Sequence, residues 1–158
     1  MWRSRYITLV GRCLVLKNFG YSQLRFLLNV MSIPNETLKT IIANAHNFFW
    51  NGSSRGKVKR LALISNIEDG GIRFPDLDSI IKSQHIMWMK RYLYSSYHPW
   101  KDVFMWQINN LGGKHIVEHT SLDQESVKNA NLLPYYKQLF ITWAEWNKKE
   151  IDNTNIEN

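Results

Sequence analysis

Glycine and proline interrupt this chain at Phe19-Gly20, Pro34, Asn51-Gly52, Gly70-Gly71, Pro99, Gly112-Gly113 and Pro134. Between most of these points apolar residues recur three and four positions apart, the spacing that gives a helix one oily face. Short helical segments with frequent stops predict an all-α fold, a small helical bundle followed by further helices. From Tyr6 to Met31 the pattern gives two helices broken at Gly20, with Val10, Cys13 and Leu14 on the inner face of the first and Leu24, Leu27, Leu28 and Met31 on that of the second. Pro34 fixes the entry to a third helix, Asn35 is placed to accept the free amides of its first turn, and Leu38, Ile41, Ile42, Ala45 and Phe49 form its buried stripe.

Val58 to Ile67 fits a short strand and a helical turn equally well. Ile72-Arg73-Phe74-Pro75 reads as extended because Phe74 precedes proline. A short extended segment is therefore expected near 58–75. Asp76 then caps a long helix to about Tyr94 whose apolar residues, Leu77, Ile80, Ile81, Met87, Trp88 and Tyr92, cover more than one face. Pro99 opens a helix with Trp100, Val103, Phe104, Ile108 and Leu111 inward, 114–133 reads as loop with a short helix, and Pro134 opens a last helix with Tyr136, Leu139, Phe140 and Trp143 inward. The composition shift near Ser95–Pro99 divides the chain into 1–94 and a helical extension 95–150, and 151–158 reads as a polar tail that frays. The first ten residues already resemble a domain interior, so Met1 reads as an internal methionine of a longer protein.

Charge is distributed unevenly. Residues 1–60 carry ten basic side chains and one acid, Glu36, a balance of +9, whereas the other 98 residues carry ten basic and twelve acidic groups, a balance of −2. A basic segment interleaved with Tyr, Trp, Phe and Asn points to a polyanionic partner, nucleic acid before membrane, against the plainer reading of a solvated basic surface. No apolar run approaches the ~18 residues of a membrane span, and the N-terminus lacks the small-residue cleavage site of a secretory signal. Cys13 is the single cysteine and sits in an apolar stretch, which reads as a packed, reduced thiol and an intracellular setting.

No arrangement of residues completes a catalytic machine. His115-Ile116-Val117-Glu118-His119 matches the H-x-x-E-H zinc pattern but has no third ligand downstream, and a chance match explains it better. Asp76 and Asp78 stand two apart, which on a helix points them in different directions. Neither a P-loop nor a G-x-S-x-G nucleophile turn is present. The sequence implies no cofactor, no metal and no enzymatic activity. Of the 21 aromatic residues most fall on the apolar stripes and read as core; Phe48 and Trp106 fall off them and are candidates for stacking on bases or on a neighbouring domain.

The motifs Arg5-Tyr6-Ile7-Thr8-Leu9-Val10-Gly11-Arg12-Cys13-Leu14-Val15-Leu16-Lys17, Pro34, Phe48-Phe49-Trp50-Asn51-Gly52 and Gly70-Gly71-Ile72-Arg73-Phe74-Pro75-Asp76-Leu77, in that order, resemble the segment after the catalytic palm of LINE-type non-LTR retrotransposon reverse transcriptases. The likeness covers residues 2–94, with a fainter echo in Leu133-Pro134-Tyr135-Tyr136 and Trp143. It implies a helical thumb over 1–94 that grips a primer–template duplex. The palm's aspartate pair is not in this sequence, so the resemblance implies a non-catalytic fragment whose missing partners are the palm and fingers of a full-length polymerase. It also implies a nuclear and cytoplasmic setting.

A polymerase must hold a hybrid of any sequence, so its contacts go to phosphates and sugars. On the first helix Arg5, Thr8 and Arg12 share a polar face, and on the second Ser22, Arg25 and Asn29 do the same. The expected contacts to the backbone of an RNA–DNA hybrid or duplex are Arg5, Thr8, Arg12, Lys17 and Arg25, with Lys57, Lys59 and Arg60 as a second basic loop. The competing function is a helical protein-interaction module whose basic face meets an acidic protein surface.

Overall fold

The computed structural model describes residues 6–52, 58–118 and 122–156. The fold is all-α, with no strand among the described residues. The chain divides into two compact units, residues 1–29 with 33–80 and residues 30–32 with 81–158. Ser95–Pro99, where the composition shift suggested a boundary, lies within the second unit.

The first unit opens with helix α1 (Leu9–Val15), a π-helical turn (Leu16–Tyr21) and helix α2 (Ser22–Leu28). The chain does not break at Gly20, as its composition suggested. Helical geometry continues, and the disruption takes the form of one widened turn. A π turn bonds residues five apart, so Leu16 and Tyr21 return to the same side of the rod. Cys13, Leu16, Tyr21 and Leu28 form the buried face, while Val10, Leu14, Leu27 and Met31, expected inside, are exposed. Cys13 is packed as expected, and burial pushes its thiol up to about 11.

Helix α3 (Asn35–Phe49) buries the stripe expected of it, most completely at Ala45 and Phe49. Its cap position falls on Pro34 without a side-chain hydrogen bond, so Asn35 is the first helical residue and not the cap. Residues 60–64 settle the ambiguity of Val58–Ile67 as a short helix, α4 (Arg60–Ile64). The chain then turns through Gly70 (φ 77°) and returns beside the end of α4: Ile72 N and Phe74 N both donate to Leu63 O, and Arg73 N to Ser65 O. Residues 72–75 are not uniformly extended, because Arg73 takes a left-handed φ of 52°. This return places Phe74 against the Phe49 and His46 rings, at centroid distances of 5.1 and 5.2 Å. Asp76 caps helix α5 (Leu77–Tyr94) by accepting from Ser79 N at 3.1 Å, as expected.

The second unit takes most of α5 together with α6 (Trp100–Asn109), α7 (Lys114–Glu118), α8 (Gln124–Asn129) and α9 (Pro134–Ile156). Helix α9 runs through Ile156, so the expected fraying of 151–158 does not begin at 151. Its core joins Met89, Tyr92, Phe104, Ile108, Val117, Leu122, Val127, Leu139, Phe140, Trp143 and Ala144. Phe104 is the hub of the aromatic packing, touching Tyr92, Trp100, Tyr136 and Phe140 at centroid distances between 5.1 and 5.9 Å. Helix α6 buries Phe104 and Ile108, and Trp100 and Leu111 pack against the core as expected, but Val103 faces out and Lys101 and Gln107 are buried. Both polar side chains satisfy main-chain groups that would otherwise be stranded. Lys101 Nζ donates to Tyr92 O and Ser95 O at 2.7 and 2.6 Å, and Gln107 Oε1 accepts from Leu133 N at 3.2 Å.

His85 on α5 is buried against α9. The Thr142 hydroxyl gives its hydrogen to Gln138 O at 2.9 Å, so at 3.1 Å His85 Nδ1 acts as the donor to Thr142 Oγ1. Burial lowers its pKa to about 4.

Two stability predictions follow from these packings. A Cβ on Gly71 would lie 2.0 Å from Ser65 O, so Gly71→Ala is expected to cost on the order of 3 kcal/mol. Gly70→Ala, which meets no atom and suffers only the left-handed φ, is expected to cost about 1 kcal/mol; urea melts of both variants check the order. For His85, the unfolded ring takes up its proton near ~6.5 and the buried ring only near about 4. The unfolded state therefore binds more protons in that window, and the contribution to stability is whole above ~6.5 and declines as pH falls toward 4, by ~3 kcal/mol in total. Thermal melts from neutral pH downward should show this decline, and His85→Gln should flatten it.

Candidate nucleic-acid interface

The residues expected to contact nucleic acid have three different fates. Arg5 and Lys57 lie outside the described residues. Thr8, Arg12 and Arg60 are engaged within the first unit. Lys17, Arg25 and Lys59 are exposed, with no side-chain hydrogen bond or ion pair among the described residues.

Thr8 is the N-cap of α1, where its hydroxyl oxygen accepts from Gly11 N at 3.2 Å. The other short polar side chains of the expected donor faces also turn to their own main chain: the Ser22 hydroxyl donates to Asn18 O, and Asn29 Nδ2 donates to Arg25 O at 2.9 Å. Side chains of this kind bond to nearby carbonyls readily within a helix.

Arg12 is half-buried and aims its guanidinium at the end of α3. Its Nη1 donates to Phe49 O at 3.0 Å and to Phe48 O at 3.4 Å. The last carbonyls of a helix have no partner within it and carry the negative end of its dipole. A guanidinium there supplies both donors and charge. Arg12 thus ties α1 to α3.

Arg60, the first residue of α4, forms ion pairs with Asp76 and, at 3.4 Å, with Asp78. Burial alone would raise the Asp76 carboxyl, but hydrogen bonds from Ser79 and Arg60 outweigh it and hold the group below its ordinary value. Asp76 and Asp78, two apart on the sequence, meet on one guanidinium because Asp76 stands at the cap and Asp78 in the first turn. No sequence pattern signals this triad, since Arg60 is separated from both aspartates by the Gly70-Gly71 return.

Lys17 belongs to the π turn and Arg25 to α2, so both project from one continuous rod. Lys59 precedes α4. Glu36, the lone acid of the basic segment, pairs with Lys39 at 3.4 Å, both side chains being largely exposed. Of the aromatics proposed to stack, Phe48 is half-buried and Trp106 is 60% exposed.

Within the H-x-x-E-H match, Lys114–Glu118 form the short helix α7, and Glu118 pairs with Lys114 at 2.9 Å. His115 is exposed and His119 lies outside the described residues. Among the described residues no group of three His, Cys, Asp or Glu side chains is placed to hold a metal ion, and no helix is long and apolar enough to cross a membrane. No family model, curated protein or solved structure matches the chain.

Arg12→Ala is expected to lower the stability of the first unit by about 2 kcal/mol, the loss of charged hydrogen bonds to helix-end carbonyls. Denaturant melts measure that cost, and Arg12→Lys should recover only part of it because a flexible ammonium lacks the fixed planar geometry with which Arg12 Nη1 reaches both carbonyls.

Proposed function

We propose that the first unit binds the backbone of an RNA–DNA hybrid or nucleic-acid duplex without sequence preference, and that the chain is a non-catalytic piece of a LINE-type reverse transcriptase from beyond the palm. The observation that carries this reading is the uncompensated charge of residues 1–60. Within that +9 balance Arg60 is neutralised by Asp76 and Asp78 and Lys39 by Glu36, and Lys17, Arg25 and Lys59 have no carboxylate partner among the described residues. Exposed, unpaired cations on a rigid rod attract phosphates by charge alone, which suits a partner recognised by its backbone. Thr8, Arg12 and Arg60 are already bonded within the first unit, so the reading places the binding on Lys17, Arg25 and Lys59. Palm and fingers of a full-length polymerase are the protein partners the resemblance implies.

A second reading is a helical module that meets an acidic protein surface. The exposed Val10, Leu14 and Phe26 beside Lys17 and Arg25 favour it, because phosphates have nothing to offer apolar side chains.

The test is the salt dependence of binding to a short RNA–DNA hybrid. Log K should fall linearly with log salt, by roughly 0.9 for each phosphate neutralised on a B-form duplex. Lys17→Ala and Arg25→Ala should each reduce the slope by about one unit and weaken all sequences alike. Arg12→Ala should leave the slope unchanged. A slope indifferent to Lys17 and Arg25 in a folded protein would remove this surface from the proposal.

A further inference from the structure

We infer that the exposed flank of the α1–α2 rod is a docking face for an acidic amphipathic helix of a protein partner. This rests on the second reading above and gives that partner a shape as well as a charge.

The flank is defined by the residues it adjoins. Cys13 and Tyr21 are both buried on the core side of the rod. The residue after each, Leu14 and Ser22, is turned by about 100° from that side. Val10 stands one turn before Leu14 and Phe26 one turn after Ser22, so Val10, Leu14, Ser22 and Phe26 line a single edge. The three apolar members are 57%, 54% and 74% exposed. Lys17 follows Leu14 by three positions and Arg25 follows Ser22 by three, which places a cation beside each half of the edge. The π turn creates this arrangement: the extra residue keeps Tyr21 facing inward, and its neighbours Ser22 and Phe26 follow that phase onto the same side as Leu14.

From Val10 to Phe26 the edge spans about 24 Å, roughly four turns of a facing helix. A partner with apolar residues at three- and four-residue spacing and Glu or Asp on the adjoining positions would cover the apolar side chains and pair with Lys17 and Arg25 together. A second copy of this chain is disfavoured, because its own Lys17 and Arg25 would be brought toward the same charges. A lipid surface is disfavoured by the middle of the edge, where Asn18 and Ser22 lie. The Ser22 hydroxyl is already bonded to Asn18 O, and hydrocarbon would strand the Asn18 amide, whereas a helix can return a hydrogen bond to it.

The probe is a synthetic amphipathic peptide of about 18 residues, leucines along one face and glutamates beside them, with a scrambled peptide of the same composition as control. Fluorescence anisotropy with the full chain should show the ordered peptide binding at least tenfold tighter than the scrambled one. Leu14→Gln and Phe26→Gln should each weaken it by about tenfold with unchanged thermal melts, since both side chains are exposed. Neither should alter the salt slope on the RNA–DNA hybrid, whereas Lys17→Glu with Arg25→Glu should abolish peptide binding. Equal binding of the two peptides would overturn the docking face while leaving an acidic surface as partner. Binding of neither would overturn the second reading itself. Tighter binding to phosphatidylserine-containing vesicles than to the peptide, lost in Phe26→Gln, would assign the edge to a membrane instead.

Discussion

Short helices end in carbonyl groups with no partner inside the helix, and in this protein basic side chains are drawn in to serve them. Arg12 closes α3, Lys101 closes α5 at Tyr92 O and Ser95 O, and Lys137 donates to Lys128 O in the last turn of α8 at 2.9 Å. In each case a positive group meets the negative end of a helix dipole and supplies missing donors. With so many helices in so short a chain the demand for such groups is high, and part of the basic excess is used internally to meet it. Which cations remain for a partner depends on this prior use.

The same constraint explains the orientation of α6. Lys101 cannot reach the end of α5 unless that side of α6 faces inward, and Gln107, six residues on, then meets Leu133 N. Val103 is carried outward. The cost of exposing one valine is small beside that of leaving three main-chain groups unpaired in a buried place. The aromatic hub at Phe104 packs on the inward side defined by those contacts.

In the first unit the π turn plays the corresponding part. It preserves a continuous buried face from Cys13 to Leu28, and the apolar residues displaced from that face come to the surface beside Lys17 and Arg25. Cations that are neither paired with carboxylates nor bonded to helix ends therefore lie next to exposed hydrophobic side chains. This combination, and not charge alone, is what a partner of the rod would meet.

The sequence by itself determined the all-α class, the helices opened by Pro34, Asp76, Pro99 and Pro134, the buried stripes of α3 and α9, and the turn at Gly70-Gly71. These depend on local matters, namely backbone freedom and the 3.6-residue period, which neighbouring residues fix without help. On α1 and α2 it placed Cys13 and Leu28 inward as found but also Val10, Leu14, Leu27 and Met31, which are exposed, and it did not show the π turn, which shifts the phase by one residue and leaves no mark on composition. It also held no sign of the partners of Thr8, Arg12 and Arg60, which are a cap amide, the carbonyls of a helix 36 residues away and two carboxylates beyond a reversal of the chain. A basic residue on a polar face has the same appearance in sequence whether it meets solvent, a phosphate or a helix end. Only the tertiary structure, by bringing those ends within hydrogen-bond reach, decided which of the cations belong to the fold.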